Sequence, residues 1–155
     1  MPGIGVEEAA ELLRRNFAPW VQELHLQVRA TSGDSATLVM PFDEKLHRAG
    51  GIVSGQALMA LGDTAMVIAL CSAFGEYRPV FTVDITTTFM RPATNTAIVA
   101  EATVLRLGRS MGFAEVRMLT DAPDRQLVAN VTGSYSIPAA PDLKQRENGS
   151  IGRPT

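Results

Sequence analysis

The chain has 155 residues and a mass of 16.6 kDa, with 46% hydrophobic and 19% charged residues. That is one domain's worth of sequence with enough apolar matter for a core, which excludes a disordered or fibrous chain. A formal net charge of -2 and a pI of about 5.7 argue against a protein that binds nucleic acid by covering phosphates with basic side chains.

The basic residues are 12 Arg and 2 Lys. Arg presents a fixed fork of donors, so this bias fits an anionic ligand or the codon usage of a GC-rich genome. The lone cysteine, Cys71, excludes an intrachain disulfide scaffold. Residues 1–18 carry Glu7, Glu8, Glu11, Arg14 and Arg15 and do not read as a signal peptide. The strongly apolar stretch 52–74 includes Gln56 and Asp63 and reads as a buried helix, not a membrane span. A cytoplasmic protein with no membrane partner is the expectation.

In chain order, apolar Val6, Ala9, Ala10, Leu12 and Leu13 gather on one side of an amphipathic helix over 6–16. Pro19 is expected to end it. Alternation from Trp20 to Ala30 predicts a strand, Ser32 to Ser35 a turn, and Ala36 to Met40 a second strand closing a hairpin. Residues 41–51 read as a loop rich in Gly and charge. Ala57, Leu58, Leu61, Ala65, Ile68 and Ala69 then mark a long helix over 54–74, apolar nearly all round and therefore wrapped by other structure. Gly75 marks its exit. Strands follow over 80–89, 97–107, 111–120 and 126–137, the middle two joined at Gly108-Arg109-Ser110. The organisation expected is a helix and lead-in over 1–20, one domain over 21–138 and a disordered tail over 139–155. No internal repeat is evident. The simplest packing is an α+β fold in which one antiparallel sheet wraps one long helix.

The chemistry concentrates between His47 and Thr64. Gly50, Gly51 and Gly55 leave backbone N–H groups accessible at a helix start, where the first N–H groups lack internal partners and the dipole is positive. That suits an oxyanion hole; the alternative is a turn with Ser54 as N-cap. Asp63 stands among Leu61, Gly62, Ala65, Met66 and Val67. A buried, unpaired carboxylate is costly, so it needs a partner, a water or a catalytic task. A structural bond to Arg78 or Thr82 is the alternative. Asp63 lies nine positions after Ser54, ~13 Å along a helix axis. One carbonyl cannot touch both in one chain, so joint action requires a two-fold dimer.

Gly51-x-x-x-Gly55 followed by Asp63-Thr64-Ala65, then Phe81-Thr82-Val83-Asp84, Phe89-Met90-Arg91-Pro92-Ala93 and Arg106-Leu107-Gly108-Arg109-Ser110, resemble the motifs of hotdog-fold thioesterases of the phenylacetyl-CoA (PaaI-like) type. The resemblance runs from about Leu38 to Ile137. It implies a hotdog fold, a long helix wrapped by about six antiparallel strands. It also implies hydrolysis of acyl-CoA thioesters without a metal or redox cofactor, coenzyme A being part of the substrate. It assigns Asp63 as nucleophile or general base, Gly55 as backbone donor to the thioester carbonyl across the dimer, and Thr82 as a hydroxyl that helps to place water. Gly108, Arg109 and Ser110 match a turn that meets the CoA phosphates, and Arg91 a second such turn; the alternative for both arginines is a solvated turn charge. A homodimer is required, and a homotetramer built as a dimer of dimers is expected.

Two departures stand out. Ser54-Gly55-Gln56 replaces the His-Gly-Gly of many members. Arg48, or His47 if the loop slips by one, replaces an Asn or Gln six residues before that His. Gly51, Ser54, Gln56, His47 and Arg48 are thus candidate substrate contacts. The two His and one Cys lack metal-ligand spacing. Ser54 lacks a Gly-x-Ser-x-Gly elbow. Two rival readings are a non-catalytic acyl-CoA-binding dimer and a hydratase on the same fold. The hydratase would want a His where Ile68 stands.

Overall fold

The computed structural model describes residues 3–139. Its elements are α1 (Val6–Asn16), α2 (Pro19–Gln22), β1 (Gln27–Ser32), β2 (Ser35–Met40), a 3-10 turn (Glu44–Leu46), β3 (His47–Arg48), β4 (Ile52–Val53), α3 (Gly55–Phe74), β5 (Phe81–Phe89), β6 (Ile98–Leu107), β7 (Met111–Thr120) and β8 (Leu127–Ser136). Six strands form one antiparallel sheet in the order β1-β2-β6-β7-β8-β5, and β3 and β4 form a separate two-residue hairpin. The expected tail falls on residues 139–155, of which 140–155 lie outside the described residues.

The sheet wraps α3. Twelve of its residues, from Ala57 to Ser72, are buried, on all sides of the helix. Ile98, Ala100 and Ala102 of β6, Ala114, Val116 and Met118 of β7, and Val131 of β8 supply the facing layer. The helix is long and apolar enough to span a bilayer by composition, but here its apolar surface is satisfied by the sheet. Ser54 caps its start, its Oγ accepting from the Ala57 N–H at 3.3 Å, and Gly75 ends it at φ +76°, a left-handed turn that glycine takes without strain.

Residues 20–30 correct the sequence reading. Pro19 does not close a helix; it opens α2 at its first turn, where a missing N–H costs nothing. Val21 and Leu24 are three apart and both buried, which is helical spacing, and the strand begins only at Gln27. The loop 41–51 also holds more order than expected, in the 3-10 turn and the β3–β4 hairpin.

The two sheet edges differ. β1 lies under α1. β5 pairs with β8 on one side, and its other side is bare among the described residues. Phe81 is 63% and Val83 60% exposed there. An uncovered edge of nine residues with exposed apolar side chains is a ready template for another strand.

Candidate active site

Asp63 sits halfway along α3 and is neither sealed nor fully exposed. Two hydroxyls hold it. Tyr135 of β8 donates to Asp63 Oδ1 at 2.8 Å, and Thr82 of β5 donates to the same oxygen at 3.2 Å. Oδ2 accepts no hydrogen bond among the described residues, and it is not among the sealed unpartnered atoms, which are His47 Nε2, Ser72 Oγ and Thr87 Oγ1. The carboxylate therefore presents one free oxygen. Arg78, the other partner considered from sequence, instead stacks over the Phe74 ring at 4.7 Å.

Tyr135 is a site residue that the sequence motifs do not mark. Its side chain is 0% exposed, and burial together with the Asp63 charge raises its phenol pKa far above the ordinary value. It stays a proton donor throughout the working range. Thr82 reaches the same carboxylate because of a β-bulge. Thr82 pairs with Tyr135, but Asp84 pairs with Ser134, so Val83 is an extra residue. Thr82 thus faces α3, and so do Ile85, Thr87 and Phe89, which pair with the inward-facing Gly133, Val131 and Ala129. Bulges commonly re-aim a side chain in this way.

The start of α3 forms a second cluster. A cavity of about 520 Å³ is lined by Arg48, Ile52, Gly55, Leu58, Phe89 and Arg91, among others. Gly55, Arg48 and Arg91 therefore come together at one cavity. Thr82 and Asp63 form the other group. Eight residues of helix separate Gly55 from Asp63, ~12 Å, so within one chain the two clusters stay apart. Ser54 and Gln56 turn to the other side of the helix start, lining a cavity of about 310 Å³ with Trp20 and Leu24. Gly50 (φ +90°) and Gly51 (φ +71°) make the β3–β4 turn. His47 is not brought to either cluster: its ring meets Phe42 edge-on at 5.0 Å between centroids, and Nε2 is sealed.

Gly108, Arg109 and Ser110 form the β6–β7 turn at the Asp63 end of the sheet. Gly112 of β7 pairs with Tyr135, which pairs with Thr82, so the turn lies two to four residues beyond that row, ~7–13 Å. The arginines divide by partner. Arg14, Arg15, Arg29, Arg117 and Arg125 sit in ion pairs with Glu11, Asp121 or Glu101. Arg48, Arg91 and Arg109 have no carboxylate within ion-pair distance among the described residues. Nor do these residues hold any group of three or more His, Cys, Asp or Glu side chains able to bind a metal.

A family model described as the thioesterase superfamily matches residues 50–125. A Halobacterium salinarum protein named as a candidate esterase is 31% identical over 129 residues, covering 79% of this chain and 85% of that one. A similarly named Thermoplasma acidophilum protein is 26% identical, covering 82% and 96%. Among solved structures, a Haemophilus influenzae thioesterase superposes with a TM-score of 0.80 at 21% identity, covering 92% of this chain and 99% of that one. The E. coli PaaI protein of the phenylacetic acid degradation operon does so at 0.76 and 18%, covering 88% and 98%. The chain belongs to the thioesterase superfamily, has the hotdog fold that PaaI proteins share, and is a thioester hydrolase.

Proposed function

We propose that the protein hydrolyses acyl-CoA thioesters at a site shared by two subunits, with Asp63 of one chain acting on a carbonyl held by the Gly55 N–H of its partner. One observation carries this reading. The carboxylate, fixed through Oδ1 and open at Oδ2, lies beside the sheet edge that nothing covers among the described residues.

Pairing that edge with a second copy supplies the missing half. Two β5 strands running antiparallel about their middle residue, Ile85, would set the Thr82 end of each strand beside the Phe89 end of the other. Asp63 is bonded to Thr82, and Gly55 lies against Phe89. The same two-fold that joins the strands would therefore bring each Asp63 to the other chain's helix start. It would also bring Arg48 and Arg91 of one chain towards the Arg109 turn of the other. Three unpaired guanidinium groups around one cleft suit the phosphates of coenzyme A. Dimers of dimers and a cytoplasmic location belong to the same proposal.

In the reaction, the helix-start N–H groups stabilise negative charge on the thioester oxygen. Asp63 Oδ2 takes a proton from the attacking water, the C–S bond breaks, and the proton passes to the leaving thiolate. In the alternative route Oδ2 itself attacks, giving an anhydride that water then opens. A single turnover in 18O-labelled water detects the anhydride when water opens it at Asp63 Cγ, which leaves the label in Asp63. Base catalysis, and an anhydride opened at the acyl carbon, put the label in the released acid.

The test is thiol release from a panel of short-chain, long-chain and aryl CoA esters. Wild type should turn over at least one class. Asp63→Asn should lose about three orders in kcat while remaining dimeric. Binding of CoA esters without turnover would favour the non-catalytic reading, with Ser54-Gly55-Gln56 as its cause.

A further inference from the structure

We propose that Tyr135 is the positioning residue of the catalytic carboxylate: with Thr82 it claims Asp63 Oδ1 and so fixes Oδ2 as the oxygen that meets water and substrate. The inference rests on the thioesterase reading and adds to it a residue that neither the sequence motifs nor the family resemblance supplied.

The geometry is specific on three counts. First, both donors reach the same oxygen, at 2.8 Å from Tyr135 and 3.2 Å from Thr82, and none among the described residues reaches the other. A carboxylate so held cannot rotate about its terminal bond without losing both bonds. Second, the two donors are direct cross-strand partners, brought to one face by the bulge at Val83. Third, the phenol ring lies against Gly133, which has no side chain to crowd it. A Cβ at Gly133 would come 3.0 Å from Tyr135 Cε2 and 2.9 Å from Met66 Cε. A buried ring with two packed χ angles is a stiff support for a hydroxyl.

Packing alone does not account for the hydroxyl. Phe would fill the same slot without offering a donor to the carboxylate. The phenol puts a donor at the one point where α3 carries a charge. Oriented catalytic groups depend on such supports, since a misplacement of ~1 Å can cost ~100-fold in rate.

The experiment compares wild type, Tyr135→Phe, Thr82→Val and the double variant in steady-state thiol release, with thermal unfolding of each. Positioning predicts that Tyr135→Phe loses ~10–100-fold in kcat with KM within twofold, in protein that is still folded and dimeric. Either donor alone anchors Oδ1 only in part, so the double variant should lose more than the product of the two single losses. A Tyr135→Phe enzyme with kcat within twofold of wild type would overturn the inference. So would a loss confined to KM or to thermal stability. If Tyr135→Phe fails to fold, Thr82→Val leaves the buried ring intact and tests the anchoring of Oδ1 by the same kcat and KM criteria. Wild-type protein that releases no thiol from any ester would instead overturn the thioesterase reading, and this inference with it.

Discussion

The ring of Phe89, the last residue of β5, lies against Gly55, the first residue of α3; a Cβ at position 55 would come 3.1 Å from Phe89 Cζ. The exposed edge strand and the helix start that offers free N–H groups are thereby joined in one contact. At the other end of β5, Thr82 is bonded to Asp63. A single strand therefore links both halves of the proposed chemistry, and a two-fold through that strand exchanges them.

The buried phenol makes alkaline stability measurable. Tyr135 holds its proton in the folded chain well above the ordinary phenol value, because it is buried and faces the Asp63 charge. Its contribution is complete below pH ~10 and fades as the unfolded chain begins to ionise above that. Urea unfolding between pH 8 and 11 (values set about the ordinary phenol pKa of ~10) should show parallel stabilities below pH ~10 and, above it, a fall in wild type that becomes steeper than in Tyr135→Phe by up to ~1.4 kcal/mol per pH unit. Equal slopes would mean that the phenol titrates in the folded protein.

Gly133→Ala tests the slot around that ring. The added methyl meets Met66, whose end can move, and Tyr135, whose ring cannot move without leaving Asp63. Overpacking of this kind should cost ~1–3 kcal/mol. Turnover should fall in the same direction as in Tyr135→Phe. Lost stability with unchanged kcat in the folded fraction would show that the ring can shift freely.

Sequence periodicity exposes α1, α3 and the strands β6 to β8 because their patterns run over ten or more residues. Asp63 stands out as a carboxylate among apolar residues, Gly55 and Thr82 follow from the family resemblance, and the structure puts Thr82 on Asp63. Tyr135 escapes because its partner lies 72 residues away, and in Thr132-Gly133-Ser134-Tyr135 it reads as one more inward strand residue. The available signal is a polar-tipped aromatic two residues after a glycine. The bulge at Val83 also leaves no mark, since Thr82, Val83 and Asp84 alternate as any strand would. Trp20 to Ala30 misleads because Val21, Leu24, Leu26 and Val28 mix the three- and four-residue spacings of a helix with the two-residue spacing of a strand, and Pro19 starts a helix as readily as it ends one.

Ser54 has two readings, substrate contact or helix cap, and its bond to the Ala57 N–H supports the cap. Ser54→Ala should lower stability by ~1 kcal/mol and leave kcat within a few-fold, with Ser54→Asp restoring the stability. A hundredfold loss of kcat at unchanged stability, read by urea unfolding beside the kinetics, would make Ser54 a substrate contact.

Arg109 is exposed at the β6–β7 turn and has no carboxylate partner among the described residues. If it meets the phosphates of coenzyme A, Arg109→Ala should raise KM for an acyl-CoA about tenfold with little change in kcat. The same change should be silent with an acyl-pantetheine ester, which lacks the nucleotide. An equal effect on both esters would place Arg109 at the thioester or outside binding altogether.

The most direct measurement is subunit complementation between Asp63→Asn and Gly55→Val chains. Each homodimer should be inactive, the first without its base and the second with its helix start displaced by Phe89. A mixed dimer would hold one site with both defects and one with neither. Random mixing should therefore restore about a quarter of the wild-type sites. Recovery to that level would establish that Asp63 of one chain works with Gly55 of the other. No recovery, with mixed dimers demonstrated by tagged co-purification, would contradict a shared site.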